Sequence, residues 1–191
     1  MIVKDRFRDW NLYHKSVVLA LAACALWVII WAVMVFDGAF EFEQEETLPY
    51  STSNIWPWII GDETRPRWTA ELIDIGELTG EAGEAETTRL LFWRRGYKRW
   101  QAVERVTNAV QERLVSFAQE SDIDQRWFSV ELVPVGACET RVVMKETLFP
   151  LEYAKRFWFF QETDAAEKRL KESHRALASW VADTQQACSV S

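Results

Sequence analysis

The sequence predicts an α+β domain: an antiparallel sheet of about six to seven strands wrapped on a long C-terminal helix, preceded by one transmembrane helix. Three observations predict it. Ser16 to Phe36, "SVVLALAACALWVIIWAVMVF", carries no charge and matches the roughly 20 residues that a helix needs to cross the hydrocarbon core. Between Glu71 and Leu148, alternating runs follow one another with short turns between them, the pattern of an antiparallel meander. From Leu151 to about Asp183 there is neither Gly nor Pro, and Ala, Glu, Lys, Arg and Leu dominate, as in a long helix. Such a helix has to bury its apolar side against the sheet.

The apolar run is flanked asymmetrically. Lys4, Arg6, Arg8 and Lys15 precede it; Asp37, Glu41, Glu43, Glu45 and Glu46 follow it, with no Lys or Arg until Arg65. The positive-inside rule then puts the N-terminus in the cytoplasm and the rest outside. Trp10 and Tyr13 suit an interfacial aromatic belt. "LAAC", Leu21 to Cys24, matches a lipoprotein box, but the apolar run continues well beyond the Cys. No small-residue cleavage site follows closely, so an uncleaved signal anchor is the expectation. The expected organisation is a cytoplasmic tail at 1–15, a span at 16–36, an extracytoplasmic domain at 40–183 and a short tail at 184–191. The expected location is the inner (plasma) membrane, single-pass, with the C-terminal domain periplasmic.

The elements follow in order. "FEFEQEETL", Phe40 to Leu48, begins with apolar/acidic alternation, a strand with one wet face. Pro49 and Tyr50 end it. "STSN" supplies helix N-cap types before the short helix "IWPWII". Gly61 and Asp62 close it, and "ETRPRW" reads as a further helical turn. Strands are expected at Glu71–Leu78, Thr87–Arg95, Tyr97–Thr107, Glu112–Glu120, Gln125–Val133 and Thr140–Leu148, with Gly96 at a hairpin turn. Pro150 stops the sheet.

The order resembles the START-like (SRPBCC) superfamily, which includes polyketide cyclase-like and lipid-transfer proteins. "LPYSTSNIWPWI" (Leu48–Ile59) resembles its Pro-containing strand end and first short helix, and "RPRW" (Arg65–Trp68) its Pro-x-Trp. "TGEAGEAETTRLLFWRRGYKRWQAVERV" (Thr79–Val106) and "WFSVELVPVGACETRVVMKETL" (Trp127–Leu148) resemble its Gly-containing turns and hairpins. The resemblance covers about residues 40–183 and implies the helix-grip fold, with a cavity between the concave sheet and the long helix. It brings no catalytic signature.

Alternation marks Phe128, Val130 and Leu132 on one strand, and Val142, Met144 and Leu148 on the next, as inward residues. Phe157, Phe160, Leu170 and Leu177 share a helical spacing. A filled core is the plain reading of this set. A hydrophobic pocket is the functional one, with Phe128, Val130, Leu132, Val142, Met144, Phe157 and Phe160 lining it and Trp58 and Trp68 at its mouth. Trp93, Trp100 and Trp127 are expected on the opposite face of the sheet. "FWFF", Phe157–Phe160, is too apolar all round for a solvated helix. "RRGYKR", Arg94–Arg99, reads as a solvated hairpin tip, with anionic headgroups or an acidic partner as alternatives.

The chain has 191 residues with 22 Lys+Arg against 29 Asp+Glu, a balance that argues against a general nucleic-acid binder. Only two His occur. His14 precedes the span, and His174 is expected at the helix surface or core edge rather than as a catalytic base. No metal-ligand cluster, hydrolase elbow or phosphate loop is legible, so no catalytic residue, metal or cofactor is assigned. The expected function is binding of a hydrophobic or lipidic ligand, or service as an accessory subunit to an integral-membrane partner. A cyclase- or hydrolase-like enzyme acting on a hydrophobic small molecule and a purely structural interaction domain are the alternatives. Cys24 is read as an apolar filler. Cys138 sits at the turn before the last strand, and a returning helix of about 30 residues reaches back to that turn. A Cys138–Cys188 disulfide is therefore expected outside the cytoplasm.

Overall fold

A computed structural model of the chain describes residues 12–36, 39–80, 84–151 and 163–184. It separates into two compact units, up to Gly38 and from Ala39 onward. The first unit is helix α1 (Leu12–Phe36). Its stretch His14–Val33 is long and apolar enough to cross a membrane, and apolar side chains such as Leu19, Leu21, Trp27 and Val33 are exposed.

The second unit is built on a seven-stranded antiparallel sheet. Its elements are β1 (Phe40–Leu48), α2 (Thr52–Ile60), α3 (Arg65–Trp68), β2 (Leu72–Thr79), β3 (Thr88–Arg95), β4 (Lys98–Val110), β5 (Leu114–Ser121), β6 (Asp124–Gly136), β7 (Glu139–Pro150) and α4 (Thr163–Thr184). The strand order is β1-β7-β6-β5-β4-β3-β2. Thus β2 to β7 form a meander, and β1 returns to pair with the last strand. The predicted strands are all present, with β1 at the predicted bounds.

Several boundaries differ for local reasons. The chain at Glu112 turns with φ 56°, so β5 starts two residues later than the alternation suggested. Helix α2 begins at Thr52, which places Pro57 inside it. The interior Pro is tolerated because it and Ser53, whose carbonyl loses its partner, both face solvent. Leu151 is not helical; its N–H donates to Ile123 O at 3.2 Å. Described helix resumes only at Thr163, and 152–162, with Phe157 and Phe160, lie outside the described residues.

Helix α4 presents Ala166, Leu170, Ser173, His174, Leu177 and Val181 to the sheet, at the three- and four-residue spacing of one helix face. They meet Val130, Leu132, Val142 and Met144 from β6 and β7, with Ile55, Trp56, Trp58 and Ile59 from α2. Trp68 is 1 % exposed, and its Nε1–H donates to Trp58 O at 2.8 Å. Burial of an indole of this size contributes roughly 4–6 kcal/mol before conformational cost. Trp58 in turn stacks on Trp180 at a centroid distance of 6.1 Å. Gly61 lets the chain leave α2 closely, because a Cβ there would lie 2.6 Å from Thr64 Oγ1.

Register fixes which ends of the strands lie together. Phe40 pairs with Leu148, Asp124 with Pro150, Ala102 with Ser121, and Trp93 with Trp100. The start of β1, the β5–β6 turn and the β3–β4 turn therefore share one end of the sheet. The β6–β7 turn, the β4–β5 turn and the end of β1 share the other.

Candidate functional site

One row across the concave face of the sheet is polar. Arg126 pairs with Gln119, Gln119 with Glu104, and Glu104 with Arg89 on successive strands β6, β5, β4 and β3. All four are buried. On one side of this row Phe128, Phe117 and Val106 belong to the main core. On the other, Leu72, Leu91, Trp93 and Ala102 form a separate small cluster. A charged band thus divides the apolar interior.

The band is held by ion pairs. Arg65, from α3, forks onto Glu104 at 2.6 and 2.9 Å, and Gln119 donates to the same carboxylate at 2.8 Å. The Arg65 guanidinium also lies 4.2 Å from the Phe117 ring centroid. Arg89 reaches Asp62 at 2.6 Å. Arg126 meets Asp124 and Glu146, and Arg169 from α4 meets Glu146 and Glu71. Arg95 closes the set on Glu71. Among the described residues five guanidinium groups therefore face five carboxylates, and the band's charges are matched. Burial pulls the Arg169 guanidinium down from its ordinary value, with Glu146 the main opposing influence.

Among the described residues this arrangement leaves little room beside the band. The space bounded by Arg65, Thr69, Trp93, Gln119, Arg126, Phe128, Glu146 and Arg169 has a volume of about 20 Å³, enough for one water molecule. Phe128, Val130, Leu132, Val142 and Met144, expected to line a pocket, are brought together as predicted, and they sit in the main core with Trp58 and Trp68. Trp58 and Trp68 bond and stack within α2, α3 and α4 rather than standing at a mouth. Phe157, Phe160 and Cys188 lie outside the described residues.

The larger space is elsewhere. A hollow of about 1150 Å³ opens where β3 and β4 run beyond β5, lined by Ile73, Leu90, Phe92, Trp93, Trp100, Val103, Ile123 and Leu151 together with Arg99, Gln101, Glu120, Ser121 and Asp122. Trp93 and Trp100 stack at 6.1 Å with planes 7° apart, and the Arg126 guanidinium lies 5.0 Å from the Trp93 ring centroid. Trp93 borders both spaces. This corrects the expectation that Trp93 and Trp100 face away from the core. Both parities of "LLFW" are apolar, so alternation leaves β3 without a preferred face; pairing with Leu72 and Ala102 decides it. Trp127 does lie on the outer face, 46 % exposed.

His174 is buried, more so than a helix-surface reading implies. Its Nε2 lies 3.2 Å from Val142 O and its Nδ1 3.1 Å from Glu46 Oε2. It joins α4 to β7 and β1, far along the helix from the hollow. Among the described residues no group of three or more His, Cys, Asp and Glu is placed to hold a metal ion. The residues that sequence reasoning missed, Glu104, Gln119, Arg126 and Glu146, each occupy an inward position flanked two residues away by buried apolar ones. That interruption was a readable signal.

No protein-family model and no curated protein sequence matches the chain. Solved structures do. A Thermus thermophilus protein, TTHA0849, is similar with TM-score 0.63 and 16 % identity, over 77 % of this chain and 100 % of its own. A START superfamily protein from Mycobacterium smegmatis matches with TM-score 0.62 and 13 % identity, over 76 % of this chain and 99 % of its own. The Zhui aromatase/cyclase of a Streptomyces species matches with TM-score 0.60 and 10 % identity, over 75 % of this chain and 94 % of its own. With the strand order and closing helix described above, these likenesses show that the unit from Ala39 onward has the START-like, helix-grip fold.

Proposed function

We propose that the chain is a membrane-anchored START-like domain, on the non-cytoplasmic side of the plasma membrane, that takes a hydrophobic or amphipathic ligand in the hollow beside Trp93 and Trp100. The observation that carries this is the contrast in space among the described residues: about 1150 Å³ in the hollow against about 20 Å³ beside the polar band. Small-molecule sites are concave, mostly apolar, and carry a few polar groups that orient the ligand. The hollow supplies both, with Phe92 and the two Trp beside Arg99, Gln101 and Ser121. The fold shared with a START superfamily protein and an aromatase/cyclase supports a ligand-binding reading. The apolar α1, the basic residues before it and the acidic ones after it support the anchor and its direction.

Native mass spectrometry of the full chain extracted in mild detergent tests this reading. A stoichiometric apolar or amphipathic adduct, lost on solvent extraction, is the expected result. A bare chain overturns it.

A second reading is service as an accessory subunit of a membrane complex. The self-neutralised band and the nearly filled interior favour it, since a domain that only holds a partner has no need of a cavity. A stoichiometric partner protein on a bare chain supports it.

A further inference from the structure

We infer that the β3–β4 hairpin tip, Arg94 to Arg99, is a docking element for an anionic lipid surface, set at the mouth of the hollow. The inference rests on the anchor reading above and adds a surface to it.

Register carries the first step. The β3–β4 turn and the β5–β6 turn lie at the end of the sheet where β1 begins. Three residues, 37–39, separate the end of α1 at Phe36 from Phe40. β1, which follows α1 in the chain, thus begins at the same end of the sheet as the hairpin tip.

Shape carries the second step. β4 pairs with β5 only from Ala102 onward, while its pairing with β3 continues to Lys98. The hairpin therefore extends four strand residues past the last β4–β5 pair, roughly 13 Å at strand rise. Gly96, with φ 57°, makes the tight turn that places Tyr97 at the tip, fully exposed.

Charge carries the third step. The whole protein has a net charge of −7, yet this tip concentrates Arg94, Lys98 and Arg99. All three are exposed and make no ion pair among the described residues. Arg95 is taken up by Glu71. Among the described residues the acidic groups at the same end are Glu41 on β1, Asp74 on β2 opposite Phe92, and Glu120 and Asp122 beside the hollow, with Glu71 and Asp124 already ion-paired; the hairpin carries the basic groups past the last β4–β5 pair. Cationic side chains around an exposed Tyr match an anionic headgroup layer, where the amphipathic phenol sits at the interface and the charges bind phosphate. Arg99 and Trp100 line the hollow, so a docked tip would bring its mouth to the lipid surface.

The test uses the full chain in nanodiscs of phosphatidylcholine alone or mixed with phosphatidylglycerol. A photo-crosslinking benzoylphenylalanine replaces Tyr97, or Arg113 in the β4–β5 turn at the opposite end. Lipid adducts are expected at position 97 in the anionic discs and not at 113. The adduct should fall roughly fivefold for each of Arg94→Gln and Lys98→Gln. No adduct at 97, equal adducts at 97 and 113, or equal yields in neutral and anionic discs would overturn the docking surface while leaving the anchor intact. A chain that does not co-elute with discs at all would overturn the anchor and the surface with it.

Discussion

Arg65 and Glu104 form a two-pronged ion pair inside the domain, at 2.6 and 2.9 Å, with side chains 2 % and 0 % exposed. The pair ties α3 to β4 across the concave face. Breaking a buried pair from one side costs roughly 3–5 kcal/mol, because the remaining charge has no partner. Glu104→Leu should therefore destabilise by about that amount. Arg65→Met with Glu104→Leu should recover much of it, since both desolvation penalties disappear. Urea denaturation of the wild type, Arg65→Met, Glu104→Leu and the double variant measures the cycle. Equal destabilisation by the single and double variants would show that the two residues do not act as a pair.

Arg169 invites an asymmetric comparison. Burial disfavours its charged form, and each of its acidic partners has a second cation: Glu146 has Arg126 and Glu71 has Arg95. Arg169→Met leaves every carboxylate paired. Glu146→Leu instead strips both Arg126 and Arg169 of a shared acceptor. The first should cost clearly less, by about 1–3 kcal/mol. The same denaturation experiment reads it, and the reverse order would contradict the pairing scheme.

Space predicts where ligand occupancy is sensitive. Val103→Trp adds bulk to the wall of the hollow at a position that is 46 % exposed, whereas Val130→Trp overfills a core position that is 0 % exposed. Overpacking a core costs about 1–3 kcal/mol or more. The first should lower bound ligand at little cost in stability, and the second should lower stability first. Paired mass spectrometry and thermal melts separate them. Unchanged occupancy in Val103→Trp would move the ligand out of the hollow.

The fold was legible because its signals are local. The Phe40–Leu48 alternation, Gly96, the Pro-x-Trp turn and the uninterrupted helical composition each name an element without reference to the rest. The interior was less legible because its decisive feature is lateral. Gln119, Glu104 and Arg89 are far apart in sequence and form a row only when three strands are in register. Each looks like a solvated residue until its neighbours show which face it occupies. Trp93 and Trp100 were misplaced for the same reason, since "LLFW" is apolar on both parities. The reading of Phe128, Val130 and Val142 as inward was correct, but inwardness does not distinguish a pocket wall from a packed core. Only the Arg65 and Arg169 side chains, reaching in from α3 and α4, do.

Topology follows from the charge asymmetry around α1. A reporter active only in oxidising compartments should work when fused after Ser191, and one active only in the cytoplasm should not. Cytoplasmic reporter activity at that position would reverse the orientation and remove the oxidising setting that the Cys pair requires.

The Cys138–Cys188 disulfide is the last prediction, and the described helix supports it without reaching it. Arg169 meets Glu146 on β7, and five residues later His174 meets the carbonyl of Val142. Helix α4 therefore advances along β7 toward the strand's beginning, where the β6–β7 turn holds Ala137 and Cys138. It continues to Thr184, and four more residues, spanning at most roughly 14 Å, bring the chain to Cys188. A bond there would close a loop of about 50 residues and contribute roughly 3–4 kcal/mol if unstrained, in the chain-entropy view. It would pin the C-terminal tail to the hairpin at the end of the sheet away from the hollow. Peptide mapping of oxidised, non-reduced protein should recover the two Cys peptides as one linked mass, and reduction should lower the midpoint of unfolding. Separate Cys138 and Cys188 peptides from material kept oxidised would rule the bond out. A linked mass with no loss of stability on reduction would show instead that the tail is tied down without adding to the fold.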